Sequence, residues 1–172
     1  DLERLVAALR NDWELPELEV DFSVLPILQP ALRKGQWKVT CAVHLGDDYV
    51  SPRIVHVWPG YYEGSIYGMA VDLGSTTIAA HLCDLQSGEV VASNGVMNPQ
   101  IRFGEDLMSR VSYSMMNEGG ALEMTAAVRE GMNTLFADVA HEANIEPTQI
   151  MDAVFVCNPV MHHLFLGIDP FE

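Results

Sequence analysis

The chain has 172 residues, of which 49% are hydrophobic and 19% charged, a composition that suits one medium-sized or two small domains and excludes a disordered chain. Its formal net charge of −15 argues against nucleic acid or an anionic membrane as partner. No apolar run reaches membrane-spanning length, and three widely spaced cysteines show no CxxC pattern, so we expect a cytoplasmic protein without disulfides.

Residues 1–66 are predicted to form a small α+β domain. Apolar residues recur at helical spacing in residues 1–11, LEVD is predicted as a short strand, and Ser23 is expected to cap a second helix. WKVTCAVHL alternates apolar and polar residues, and RIVHVW is predicted to return as its hairpin partner after the turn GDDYVSP. Trp37 and Trp58 are interpreted as core or interface aromatics rather than a ligand cage.

Residues 67–172 are predicted to form an α/β layer. It begins with three consecutive strands, predicted at residues 68–73, 76–84 and 89–93. The apolar stripe of residues 121–144 predicts a long helix. DAVFVC is expected to be a strand buried on both faces, and VMHHLFLG a short helix or turn. Since no further strand follows to close this layer, we expect a truncated domain.

The turn between the first two of these strands carries the strongest chemical signal. Asp72 ends an apolar strand and is followed by Gly74, Ser75, Thr76 and Thr77. Exposed amides in such a turn can bind phosphate, glycine allows close approach of the backbone, and a lone carboxylate can hold Mg²⁺. The alternative is an ordinary hairpin in which the aspartate only caps the turn. The spacing is not that of a Walker loop.

Three segments carry a resemblance to known proteins. AVDLGSTTIAAHLCDLQSGEVV resembles the first phosphate motif of the acetate and sugar kinase/Hsp70/actin (ASKHA) superfamily. MNPQIRFGEDLMSRV and VFVCNPVMHHLFLGIDP resemble the reductive activators of corrinoid proteins, which are ATP-dependent iron–sulfur proteins. The resemblance implies an α/β fold with an α+β N-terminal unit: the family's middle domain at residues 1–66, then the N-terminal part of a ribonuclease H-like, actin-like ATPase domain at residues 67–172.

The resemblance also implies roles for individual residues. Asp72 becomes the Mg²⁺-associated acid, and the turn residues Gly74, Ser75, Thr76 and Thr77 become phosphate contacts. The resemblance further implies a catalytic role for Asn158, which stands where sugar kinases of the superfamily carry an acidic base. An amide cannot accept a proton from a hydroxyl, so a slow ATPase is favoured over a small-molecule kinase.

The resemblance implies that the intact protein uses ATP to favour docking onto a corrinoid protein of a methyltransferase system and to reduce Co(II) to Co(I). The [2Fe–2S] cluster that donates the electron is expected only in a preceding domain, because no clustered cysteines occur here. The fragment alone is expected to be inactive, and a homodimer is compatible with the resemblance. An actin-like scaffold and a small-molecule kinase are the alternatives.

The remaining polar residues include candidates for both structural and functional roles. Asp106 follows Gly104 and Glu105 and favours a helix N-terminus through the macrodipole, while the family match makes it a cofactor-binding candidate. Arg102 and Arg110 flank these acids and are expected to form surface ion pairs. The adjacent pair His162–His163 is interpreted as one packed and one exposed histidine rather than a metal site.

Overall fold

The structure is a computed structural model that describes residues 1–15, 17–46 and 51–171. Its contacts divide the chain into two units, Asp1–Gly64 and Ser65–Glu172. Most of the predicted turn GDDYVSP falls on residues 47–50, outside the described residues. Among the described helices, none combines the length and the apolar character that crossing a bilayer requires.

The described residues of the first unit form two helices and a three-stranded sheet: α1 (Leu2–Trp13), β1 (Glu19–Val20), α2 (Val24–Lys34), β2 (Val39–His44) and β3 (Arg53–Pro59). The strand order is β1-β3-β2, with β1 parallel and β2 antiparallel to β3. The predicted strand LEVD and the predicted hairpin are therefore confirmed. The core forms where Val24 and Leu28 of α2 pack with Ile54 and Val57 of β3, all buried.

Two details of this unit differ from the sequence-based expectations. The hydroxyl of Ser23 does not cap α2 but donates a 2.7 Å hydrogen bond to Asp21 Oδ1. Trp37 is 61% exposed and adopts a φ of 68°, because the backbone turns there before β2 begins at Val39. The ring of Trp58 stacks on Tyr62, with ring centroids 4.2 Å apart.

In its described residues, the second unit contains a four-stranded sheet, three α-helices and two 3₁₀ segments. In chain order its elements are β4 (Tyr67–Leu73), β5 (Thr77–Asp84), β6 (Val90–Met97), a 3₁₀ helix (Pro99–Phe103), α3 (Leu107–Met116), α4 (Gly120–Glu142), a 3₁₀ turn (Pro147–Gln149), β7 (Ile150–Cys157) and α5 (Pro159–Leu166). The strand order is β6-β5-β4-β7, with β7 parallel to β4 and the other pairs antiparallel. The three early strands and the long helix are confirmed, although β6 extends four residues beyond the predicted end.

One face of this sheet forms the core of the unit. Met69, Val71 and Leu73 of β4 alternate inward and pack with the apolar stripe of α4 and with Met161 and Leu164 of α5. These side chains are almost completely buried. The alternation of β4 therefore fixes which of its residues lie on the opposite face.

The opposite face of the sheet corrects one expectation. DAVFVC was expected to be covered on both faces, but Val154 and Val156 are 62% and 68% exposed. In the described part of the chain, β7 is an edge strand and helices pack on only one side of it. Ala70 and Asp72 of β4 lie on the same open face, because they pair in register with Val154 and Val156.

Candidate functional site

The turn after β4 and the end of β7 lie at the same edge of the sheet. Because the two strands are parallel and Leu73 pairs with Cys157, their carboxyl ends meet. This edge brings together Asp72, the turn from Gly74 to Thr77 and Asn158. The carboxyl edge of parallel strands is where α/β sheets commonly bind ligands. The carboxylate of Asp72 is exposed there, on the open face of the sheet.

Gly74 is required by the shape of the turn. A Cβ atom at this position would lie 2.5 Å from the carbonyl oxygen of Thr77, a separation that real side chains do not adopt. The turn can therefore close tightly only with glycine, whose missing side chain permits this approach of backbone to backbone.

Three consecutive carbonyl groups of the turn accept hydrogen bonds from residues beneath it. Asn98 Nδ2 donates to the oxygen of Gly74 and the Asn98 backbone N–H donates to that of Thr76, both at 2.8 Å. Between them, Arg110 Nη2 donates to the oxygen of Ser75 at 2.6 Å. The turn is thus fixed from one side by two residues that are distant from it in sequence.

The position of these carbonyls determines where the amides point. In a planar trans peptide the C=O group and the following N–H group point in opposite directions. The amides of Ser75 and Thr76 are therefore directed away from Asn98 and Arg110. Neither amide has a hydrogen-bond partner in the described part of the chain. They form a pair of free donors in the turn that follows Asp72.

The residues beneath the turn form a buried polar cluster, which consists of Asn98, Gln100 and Arg110, each 0% exposed. Gln100 Nε2 donates to the Met124 carbonyl at 2.9 Å, and Arg110 Nε donates to that of Gly104 at 3.0 Å. Every described buried side-chain nitrogen and oxygen has a partner. The cluster is therefore fully satisfied, as a buried polar network must be to stabilise a single arrangement.

Arg110 corrects the expectation of a surface ion pair. The guanidinium contacts neutral acceptors, including the Sδ atom of Met161 at 3.3 Å, and no carboxylate of the described residues lies within ion-pair distance. Burial lowers the pKa of Arg110, and the charge of Asp106 opposes this shift. Sequence reasoning missed the roles of Asn98 and Gln100 as well. The only signal for all three was their place in the family-like segment MNPQIRFGEDLMSRV.

Asp106 is the N-cap of α3. Its Oδ1 atom accepts a 2.7 Å hydrogen bond from the backbone N–H of Ser109, and this bond holds the pKa of the carboxyl below its usual range. The helix therefore starts where the sequence predicts. A cofactor contact of Asp106 stays a prediction.

Asn158 is the N-cap of α5, where its Oδ1 atom accepts the N–H of Met161 at 3.0 Å. Its catalytic role stays a prediction as well. The two neighbouring histidines differ as expected: His162 is exposed and His163 half-buried, with ring centroids 6.0 Å apart. Across the described residues, no three His, Cys, Asp or Glu side chains group as a metal site would need.

The donor chemistry at the turn fits magnesium but not an iron–sulfur cluster. A single carboxylate, that of Asp72, suits Mg²⁺. A protein-bound Mg²⁺ keeps several waters and takes its remaining ligands from the phosphate oxygens of a bound substrate. A cluster would need convergent thiolates. The cysteines lie on separate strands, with Cys41 in the first unit and Cys83 and Cys157 in the second.

Comparison with protein families and with solved structures gives one consistent result. The family model described as the RACo linker region matches residues 1–64, and the model described as the RACo middle region matches residues 67–172. The family's middle region therefore corresponds to the second unit, at residues 67–172, and not to residues 1–66, where the resemblance had placed the middle domain.

Two individual proteins extend this result. A protein of Eubacterium limosum named corrinoid activation enzyme RamQ is 32% identical over 108 residues, which are 63% of this chain and 18% of that protein. A solved structure titled reductive activator for corrinoid, iron-sulfur protein matches 99% of this chain and 27% of its own, with a TM-score of 0.83 and 34% identity. The chain therefore spans about a fifth to a quarter of the length of these relatives. It belongs to the RACo family, the reductive activators of corrinoid proteins.

Proposed function

We propose that the turn from Gly74 to Thr77 binds the phosphates of Mg·ATP, with the Asp72 carboxylate beside the metal ion. The observation that carries this proposal is the pair of unpartnered amides, on Ser75 and Thr76, in a turn that follows the exposed Asp72 at the edge where two parallel strands end. Amides directed to one side of a tight turn form an anion site. The hydroxyls of the turn add further donors.

Within this site each residue would have a distinct task. The amides of Ser75 and Thr76 would bind phosphate oxygens, and Asp72 would hold Mg²⁺ directly or through water. Asn158, at the same edge, would orient a water molecule or the nucleotide. It cannot remove a proton from an attacking hydroxyl, which favours slow ATP hydrolysis over phosphorylation of a substrate.

We propose that the intact protein couples this site to the reduction of a corrinoid protein. The relatives are named for corrinoid activation and for a corrinoid, iron-sulfur protein. In the proposed reaction, one electron from a [2Fe–2S] cluster elsewhere in the protein converts Co(II) to Co(I). ATP would favour the docked state by binding it more tightly than the undocked state, which is the only way a ligand can shift such an equilibrium.

The proposal is tested in the full-length polypeptide that contains this chain. Mg·ATP affinity is measured by calorimetry for the wild type, Asp72→Asn, Asp72→Ala and the control Asp138→Asn, which makes the same charge change on the exposed side of α4. We expect both Asp72 variants to raise the Kd at least tenfold and the control to stay within twofold. Undiminished affinity and ATP turnover in both Asp72 variants would remove this residue from the proposed role.

A spectroscopic assay tests the second part of the proposal. The full-length protein, its reduced cluster and a Co(II) corrinoid protein are mixed, and the loss of the Co(II) absorption band is followed with and without Mg·ATP. We expect a strong dependence on Mg·ATP in the wild type and little in Asp72→Asn. Equal rates with and without nucleotide would contradict the coupling, whatever the affinity measurements show.

A further inference from the structure

We propose that Arg110 is the positioning residue of the phosphate turn: its buried guanidinium turns the Ser75 carbonyl inward and so presents the amide of Thr76 to a phosphate group. This inference rests on the proposed function of the turn. Arg110 itself would not touch the nucleotide, since it is 0% exposed and reaches the turn only through the carbonyl of Ser75. It acts through the backbone.

The placement of Arg110 is unusual for its charge. Residues 65–172 contain three arginines and no lysine. Arg102 and Arg129 are exposed, whereas Arg110 is completely buried. Removing an arginine from water without a carboxylate partner costs several kcal/mol by general estimates. Simple packing of α3 could use an apolar residue at this position, so the buried charge points to a task that only a guanidinium performs.

The geometry identifies that task. The guanidinium holds two carbonyls that belong to different segments, those of Ser75 at 2.6 Å and Gly104 at 3.0 Å. The fixed fork of an arginine can span both oxygens at once, which a lysine ammonium cannot do with the same geometry. Arg110 therefore ties the turn to the segment that precedes α3. The inward orientation of the Ser75 carbonyl fixes the outward orientation of the next amide.

The positive charge of Arg110 also favours phosphate binding at the turn. The guanidinium keeps its proton at all accessible pH values, and no described carboxylate pairs with it. Its positive charge lies one peptide unit behind the Thr76 amide and is little screened in a buried site. The whole chain carries a formal net charge of −15, so a polyanion approaches it against a repulsive background. A local positive charge behind the turn offsets that repulsion where phosphate would bind.

The test compares Arg110→Gln and Arg110→Lys with a matched control, Arg102→Gln, in the full-length polypeptide. Arg102 is exposed and stacks on Phe103, so its substitution makes the same charge change without removing a hydrogen bond to the turn. The Kd values of Mg·ATP and of adenosine are measured for each variant, with thermal unfolding as the check on folding. We expect Arg110→Gln to weaken Mg·ATP at least tenfold and adenosine less than twofold. Arg110→Lys should fall between Arg110→Gln and the wild type, and Arg102→Gln should match the wild type.

Failure of this inference is distinguishable from failure of the proposed function. If Asp72→Asn weakens Mg·ATP but Arg110→Gln leaves its Kd within twofold of the wild type, Arg110 has no positioning role and the turn remains the phosphate site. Equal weakening of Mg·ATP and adenosine by Arg110→Gln would show a merely structural role and would also overturn the inference. If Arg110→Gln does not fold, Arg110→Lys decides: a wild-type Kd for Mg·ATP overturns the inference, and a selective loss of Mg·ATP supports it.

Discussion

The side-chain amide of Asn98 donates a 2.8 Å hydrogen bond to the carbonyl of Gly74, across 24 residues of sequence. The Oδ1 atom of the same side chain accepts a 2.9 Å hydrogen bond from the backbone N–H of Gln100, and the Asn98 backbone N–H donates to the carbonyl of Thr76. One residue, placed just after β6, thus fixes both ends of the turn that follows β4. The conformation of this turn therefore depends on Asn98, which follows a strand two positions away in the sheet, as well as on the turn's own sequence.

Substitution of Asn98 by alanine is predicted to destabilise the chain by about 2 to 3 kcal/mol. The half-buried carbonyl of Gly74 and the buried N–H of Gln100 would lose their partner; an unsatisfied buried group costs about 1 to 3 kcal/mol, and the half-buried carbonyl costs less because water can reach it. Urea unfolding followed by far-UV circular dichroism measures the change. Asn133→Ala, on the exposed side of α4, is the control and should change the free energy of unfolding by less than about 0.5 kcal/mol. A cost for Asn98→Ala as small as that of the control would contradict the role assigned to this hydrogen bond.

Substitution of Gly74 by alanine is predicted to disrupt the turn. The added Cβ would lie 2.5 Å from the Thr77 carbonyl oxygen, so the backbone must move, at a cost of about 1 to 3 kcal/mol. Because this movement displaces the amides of Ser75 and Thr76, we expect the Kd of Mg·ATP to rise at least tenfold in the full-length polypeptide. Gly95→Ala in β6 is the control, since its Cβ would make only an ordinary 3.4 Å contact. Wild-type affinity in Gly74→Ala would show that the turn does not contact phosphate.

Asp106 offers a way to separate capping from ligand binding. Asparagine caps helices about as well as aspartate, so Asp106→Asn should preserve most of the stability that Asp106→Ala loses. The lowered pKa of this carboxyl means that its charged form stabilises the fold; that contribution is present above the ordinary value of 3.8 and is lost as the pH falls through the folded-state pKa. NMR titration of the Asp106 carboxyl checks the direction of the shift. A Mg·ATP affinity that falls in Asp106→Asn while stability is retained would support the cofactor contact.

The local parts of the fold were predictable because their signals are local. The glycine-containing turn after a strand that ends in Asp72 and the apolar stripe of α4 each occupy one continuous segment, and both appear where the sequence places them. The family resemblance added the expected roles for the turn. These are the features that periodicity and turn chemistry specify without tertiary contacts.

The buried polar cluster was not predictable in the same way. Arg110 lies beside acidic residues in sequence, which suggests a surface ion pair, but its closest partner is a backbone carbonyl 35 residues away. Because every residue has a backbone carbonyl, a sequence pattern does not indicate which one accepts a given hydrogen bond. The open face of β7 has a similar cause: an apolar run shows that side chains prefer burial, not what covers them.

The thiol of Cys41 is predicted to make the first unit sensitive to alkaline pH. Burial raises the pKa of this thiol from its ordinary value of 9.0 to about 11, so the folded state binds the proton more tightly than the unfolded state. Its contribution is fully present below pH 9 and is lost as the pH rises from 9 to 11.

Cys41→Val removes this titration and keeps an apolar side chain of similar size on β2. All three tryptophans of the chain lie in residues 1–64, so tryptophan fluorescence during urea unfolding reports on the first unit. We expect the stability of the wild type to fall more steeply than that of Cys41→Val between pH 9 and pH 11, because other groups that titrate in this range are common to both proteins. Parallel pH profiles for the two would show that Cys41 ionises equally well in the folded and the unfolded chain.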